Sequence, residues 1–419
     1  YKTHYPPLLP VLISQSYRLF GVSETSARLV PFTASLLLVI AIYILADKLF
    51  GRDEAFISSI LLASSPLFIY FGTQPVHESV VPAFSLFAVL GYIYFFERPS
   101  VVPYFLLVSG VVLGGLTNWT GFYIVPPLVL HYFLFKKRSI HHYLMGILIP
   151  LCIGIFILHI LHMQWLTGGK IGLGGIFLKR LNPYLSAELT GYSLPRYIWQ
   201  EITYLRIYLT NIAGIGAGVW LTRLFFKRLT HQVSMADTIL FALLIYGSLH
   251  LVIFQDLAFI HDYMIYYLMP FVVLAAAFIF TSILHKLPKR FRLIFILVLV
   301  GLMTSERASF TKALIISDMN TKGVEIGEFI SRHTNTGDTV FITSNSYKEF
   351  YEVFINFYAA RHVEYGETLP QILVNYRLIV RPKAHDALPI QAKTYLSTHF
   401  AKYENSKFIW YDTAKIAYE

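Results

Sequence analysis

Three short polar corners hold most of the residues able to do acid, base or anion-binding chemistry in the apolar part of this chain. They are Thr3-His4-Tyr5-Pro6-Pro7, then Gln74-Pro75-Val76-His77-Glu78, then Gln255-Asp256 with His261-Asp262-Tyr263. A carboxylate such as Glu78 is able to take a proton from an attacking hydroxyl, while imidazoles and phenols are suited to meet a departing anion. A fourth source of charge is the stretch 162–201, glycine-rich from Gly168 to Gly175, where Lys170, Lys179, Arg180 and Arg196 face Glu188. It lacks the Lys-Ser/Thr pair and the preceding strand of a Walker loop, so its cations suit either a solvated loop or an outward-facing anion site. Structural explanations stand beside the chemical ones. A carboxylate in the first turn of a helix complements the dipole, which accounts for Glu78. Asp262 is placed to cap the helix after it, and His77 and His261 suit hydrogen-bonded edge positions. No group of residues has metal-ligand spacing. Asn118-Trp119-Thr120 matches a glycosylation sequon but lies too near an apolar span to carry weight.

The elements holding these corners are apolar spans. The first 305 residues contain a series of them, each roughly 17–22 residues long, the length that crosses a bilayer core. Ten are expected, at about 29–46, 54–71, 79–96, 101–117, 120–135, 142–161, 202–222, 237–254, 263–284 and 291–305. Basic clusters fall at every second junction: Lys48/Arg52, Arg98, Lys136-Lys137-Arg138, Arg223/Lys227/Arg228 and Lys286/Lys289/Arg290/Arg292. Cytoplasmic loops collect Lys and Arg, so this alternation predicts those junctions inside and the polar corners outside. The chain is 56% hydrophobic and 14% charged, which excludes an ordinary soluble domain. Its net charge of +10 lies wholly in the first 305 residues, because 306–419 hold equal numbers of acids and bases. Cations at membrane edges, rather than a basic face, argue against nucleic-acid binding. Cys152 is the one cysteine and lies inside a span, so no internal disulfide forms.

Residues 5–20 are apolar but short and proline-rich, which predicts a helix lying on the outer surface. After Glu306 the composition becomes that of a soluble domain. Helices are expected at Thr321–His333 and Tyr347–Ala360, strands at Thr339–Thr343 and Leu378–Val380, and a hairpin near the end. The expected organisation is therefore a membrane domain, 1–305, and a small extracytoplasmic α/β domain, 306–419.

The order of parts resembles membrane glycosyltransferases of the GT-C superfamily, nearest to the protein O-mannosyltransferase and aminoarabinose-transferase group. The run THYPPLLPVLISQSYRLFG, followed by Glu24 and Arg28, is similar to that group's Pro-Pro-Leu element and surface helix. HDYMIYYLMPFVVLAAA looks like its late span, and GEFISRHTNTGDTVFITS with FYAARHVEYG like its small outer domain. In that family the catalytic carboxylate precedes the Pro-Pro-Leu element. The resemblance therefore implies a further helix and the principal base upstream of Tyr1, and leaves Glu78 as a second outer-loop acid matched by position.

What the resemblance implies is sugar transfer from a polyprenyl-phosphate donor to a protein, lipid or glycan acceptor, on the outer face of a plasma membrane. The departing phosphate would be met by His4, Lys179, Arg180, Arg196 and His261, with Tyr263 as a hydrogen-bond donor. No cofactor is expected; a divalent ion is compatible with the superfamily, but no ligand set for one is visible. The rival reading is a transporter or flippase for a lipid-linked or anionic solute, which would show paired repeats or broken helices near the midplane. A non-catalytic scaffold presenting the tail domain is the third.

Overall fold

The computed structural model describes residues 5–168, 192–317, 321–383 and 388–416. Contacts divide the chain into two compact units, Tyr1–Leu314 and Ile315–Glu419.

The first unit is helical. Its opening helix, Leu8–Phe20, buries Leu9 against Ala34 and Val80 while Leu19 and Phe20 stay exposed. Gly21, at φ 81°, a backbone angle that side chains disfavour, ends it. Ser23 then caps the long helix Glu24–Leu49 by accepting from the Ser26 backbone N–H. Among the described residues five helices, against the ten spans expected, are long and apolar enough to cross a membrane, or six if the bent pair below is one span: Glu24–Leu49, His77–Glu97, His141–Leu166, Met235–Ile253 and Asp262–Lys286. Two shorter apolar stretches, Val101–Thr117 and Trp119–Phe135, lie between them.

Glycines set the closest packing. An added Cβ at Gly91 would meet the Leu107 backbone N at 2.4 Å, and one at Gly110 the Ala88 N at 2.6 Å. The His77–Glu97 and Val101–Thr117 helices therefore touch backbone to backbone, as small residues permit in apolar surroundings.

Three expected spans differ in detail. The stretch 54–71 breaks after Ala63: Ser65 caps a new short helix, Pro66–Phe71, whose leading proline cannot continue the hydrogen-bond ladder. The stretch 202–222 is two helices, Leu194–Leu209 and Asn211–Leu229, bent by 116°. The break is Thr210, a β-branched residue at φ 66°, whose hydroxyl accepts from the Ala213 N–H. From the other side, Glu306 Oε1 accepts from the Asn211 N–H at 2.9 Å and from its side-chain amide at 2.5 Å. A run of apolar residues signals hydrophobicity but not this local cap, so the period alone gave no warning. Last, the stretch 291–305 belongs to a 29-residue helix, Lys289–Ser317, which runs past the expected boundary at 305.

The second unit is a five-stranded sheet with order β2-β1-β3-β5-β4. The strands are β1 Thr339–Ile342, β2 His362–Tyr365, β3 Leu378–Pro382, β4 Phe400–Glu404 and β5 Phe408–Ile416. β1 pairs in parallel with β2 and β3, while β5 runs antiparallel to β3 and β4. Alternation fills both faces. Val340, Ile342 and Val380 pack with Ile326, Ile330 and Ile355, and Phe341, Ile379 and Tyr411 pack with Leu396 on the other side.

Candidate functional site

Glu78 enters the bundle in the first turn of His77–Glu97, behind Val76, and only 5% of it is exposed. Ser79 ties the corner by donating to the carbonyls of Gln74 and Val76. His77 stacks on Tyr5 with ring centroids 4.5 Å apart, bringing the start of the chain onto this corner.

A second segment reaches Glu78 from the end of Val101–Thr117. Asn118 ends that helix, accepts from the Thr120 N–H through its side-chain oxygen, and directs Nδ2 to Glu78 Oε1 at 3.5 Å. The contact is long for a hydrogen bond, but it joins two buried groups. Thr120 in turn donates to the Tyr267 hydroxyl at 2.9 Å. Asn118 and Thr120 are both buried, so the sequon-like triplet serves this network rather than a surface.

The third segment is the 3₁₀ helix Asp262–Leu268, which carries Tyr263 and Tyr267, both within electrostatic reach of Glu78. Tyr263 also packs against Phe71 and the His261 ring, with centroids 5.4 Å and 5.2 Å away. Asp262 does not cap the helix that follows. Its carboxylate instead accepts a hydrogen bond from Tyr208, the second-last residue of Leu194–Leu209.

The structure thus gathers Tyr5, His77, Glu78, His261 and Tyr263 from three separated corners. Arg196 does not join them directly: it is exposed, with its guanidinium 5.5 Å above the Phe259 ring, one short helix away from His261. His4, Lys179 and Arg180 lie outside the described residues. Among the described residues no cluster of three or more His, Cys, Asp or Glu is arranged to hold a metal ion.

Several contributors escape a reading of the sequence. Asn118 and Thr120 stood out only as a sequon-like triplet and Tyr267 as part of an apolar run, and only the packing of the short segments joins Asn118 to Glu78 and Thr120 to Tyr267. Glu201 had a visible signal: it is an acid in an otherwise apolar run, at the edge of the long loop. It is 7% exposed, and neither carboxylate oxygen has a hydrogen-bond partner among the described residues. It lines a groove of about 540 Å³ with Tyr197, Leu205, Ala217, Leu251 and Gln255.

The arrangement offers a buried carboxylate with the Asn118 amide beside it, two tyrosines within electrostatic reach and the His77 ring next to it in the chain. Such a site is equipped to polarise a hydroxyl and to accept charge developing on a leaving group.

Comparison with known proteins follows the same outline. Residues 4–165 match the sequence profile of the dolichyl-phosphate-mannose-protein mannosyltransferase family. An uncharacterized protein of Aquifex aeolicus (strain VF5) is 31% identical over 156 residues, which span 37% of this chain and 35% of that protein. The structure of ArnT from Cupriavidus metallidurans bound to undecaprenyl phosphate superposes with a TM-score of 0.64 at 11% identity, over 98% of this chain and 88% of that one. The archaeal oligosaccharyltransferase AglB from Archaeoglobus fulgidus, in complex with an inhibitory peptide and a dolichol-phosphate, gives a TM-score of 0.53 at 12% identity. That match covers 98% of this chain and 66% of AglB. At these identities the structural likeness concerns the fold. The chain is a polytopic α-helical membrane protein that shares the fold of ArnT and, over residues 4–165, resembles the dolichyl-phosphate-mannose-protein mannosyltransferase family.

Proposed function

We propose that this protein is a membrane glycosyltransferase that moves a sugar from a polyprenyl-phosphate donor to an acceptor on the extracytoplasmic side. The observation that carries the reading is the convergence of Glu78, Asn118 and Tyr263 from three segments. They meet at the bundle end away from Lys136, Arg228 and Lys286, in a fold shared with a protein solved with undecaprenyl phosphate. The lipid tail would stay in the bilayer while the phosphosugar reaches the corner. Glu78 would orient or deprotonate the acceptor hydroxyl. Tyr263 and His261 would stabilise the phosphate as it departs, and Arg196 would supply positive charge together with Lys179, Arg180 and His4, which lie outside the described residues. The Ile315–Glu419 unit would be extracytoplasmic.

The test is turnover of a labelled polyprenyl-phosphosugar by the full protein in lipid nanodiscs. Wild-type protein should transfer or hydrolyse the sugar, and Glu78→Gln should lower that rate by about 10²-fold or more if Glu78 handles the proton. Turnover unchanged in Glu78→Gln removes that residue from the chemistry, and no turnover by the full-length wild type overturns the reading. One observation favours transport instead: the 116° break at Thr210 is the kind of discontinuity transporters use. Among the described residues it is the one such pair, so it has no counterpart related by an internal repeat.

A further inference from the structure

At the opposite end of the first unit, a groove of about 600 Å³ opens between the Val125–Phe135, Asn211–Leu229 and Met235–Ile253 helices. Its walls are apolar, among them Leu134, Leu221, Phe225, Phe241 and Ile245, and Arg228 stands at its mouth. We propose that this groove is a site for an anionic phospholipid, with one acyl chain between the helices and the phosphate on Arg228.

Charge supports that occupant. Asp237, 2% exposed, forms a capping box with Ser234 and accepts from both Arg223 at 3.2 Å and Lys227 at 2.7 Å. Those two cations are therefore committed to holding the start of the Met235–Ile253 helix. Arg228 follows Lys227 directly, is exposed, and makes no ion pair among the described residues. Three cations against one carboxylate leave the rim with two positive charges, which a neutral phospholipid would not match. An anionic headgroup supplies the missing partner, and a guanidinium is able to grip a phosphate through two parallel N–H bonds.

Depth supports it as well. From Arg228 to Leu221 is seven residues, about 10 Å of helix, and from Asp237 to Ile245 about 12 Å. That is less than half of the roughly 30 Å hydrocarbon core, a fit for the upper part of one acyl chain in the adjacent leaflet. Basic pockets between membrane helices on the Lys/Arg-rich side suit anionic headgroups. The Glu78 corner plays no part, so this proposal is independent of the transfer reaction.

The test is native mass spectrometry of the full protein exposed to equimolar phosphatidylglycerol and phosphatidylcholine, with apparent Tm measured in each lipid. Wild type should retain one phosphatidylglycerol in preference and gain Tm in it. Arg228→Gln should keep its Tm in phosphatidylcholine, lose the phosphatidylglycerol increment and bind that lipid about tenfold more weakly, while sugar transfer stays unchanged. Equal retention of the two lipids overturns the proposal, as does undiminished selectivity in Arg228→Gln. Stoichiometric displacement by a polyprenyl phosphate also overturns it, by giving the groove to the donor.

Discussion

Tyr208 donates its hydroxyl hydrogen to the carboxylate of Asp262, linking residues 54 positions apart across the break at Thr210. This bond fixes the end of the Leu194–Leu209 helix to the 3₁₀ turn that presents Tyr263 to Glu78. Removing the donor leaves a part-buried carboxylate under-satisfied, at a cost of about 1–3 kcal/mol. Tyr208→Phe should therefore lower the apparent unfolding temperature in nanodiscs, and Tyr208→Phe combined with Asp262→Asn should recover part of the loss. An unchanged unfolding temperature in Tyr208→Phe would show that the bond does not hold the turn.

The close approach of two helices makes an opposed pair of glycine substitutions informative. Gly110→Ala would drive a methyl to 2.6 Å from the Ala88 backbone, and overpacking of this kind costs roughly 1–3 kcal/mol. Gly154 has nothing within 4 Å of an added Cβ, so Gly154→Ala should be neutral or stabilising by up to about 1 kcal/mol. Thermal unfolding of both variants separates local packing from a general intolerance of change.

Glu201 is expected to behave as a structural liability. A buried polar group without partners costs about 1–3 kcal/mol relative to an apolar side chain of similar size. Glu201→Leu should raise the apparent Tm. A lower Tm would mean that the carboxyl contributes an interaction worth more than its burial costs.

Sidedness is open to a labelling experiment, because Cys152 is buried and the background of accessible thiols is low. Gln74→Cys should react with an impermeant maleimide from outside intact cells, whereas Lys137→Cys should react only after permeabilisation. The reverse pattern would place the Glu78 corner on the cytosolic face and remove the proposed transfer reaction.

One pH effect belongs to the sheet unit. The Tyr376 hydroxyl bonds Glu364 at 2.6 Å, and this bond, with help from His362, holds the carboxyl below its ordinary range. A depressed carboxylate pKa adds stability above the unfolded-state value, and that stability is lost as pH falls through the folded value. Glu364 is half exposed, so the contribution is small. Tyr376→Phe should move the Glu364 titration upward in a carbon-detected NMR titration. No movement would mean that His362 alone sets the shift.

Much of the architecture follows from local pattern. The long apolar runs became helices because each satisfies its own backbone groups, which an apolar medium demands. The tail strands at Thr339 and Leu378 were legible because short apolar β-branched runs sit between polar turns. The parallel strand His362–Tyr365 was not, since its alternation is brief and charged on one side. The break at Thr210 was hidden for a different reason: its caps are the Thr210 hydroxyl itself and Glu306, far along the chain.

The sequence by itself determined that this is a bundle of apolar helices with its cations at alternate junctions, and that polar groups collect in three corners. Hydrophobic length and charge placement are sums over neighbouring residues, so they need no knowledge of the fold. Tertiary structure decided which polar groups meet. Asn118 reaches Glu78, and Thr120 reaches Tyr267, only because close helix contacts and short 3₁₀ turns bring distant segments together. A pairwise distance between residues 40 or 147 positions apart is not encoded in either local sequence.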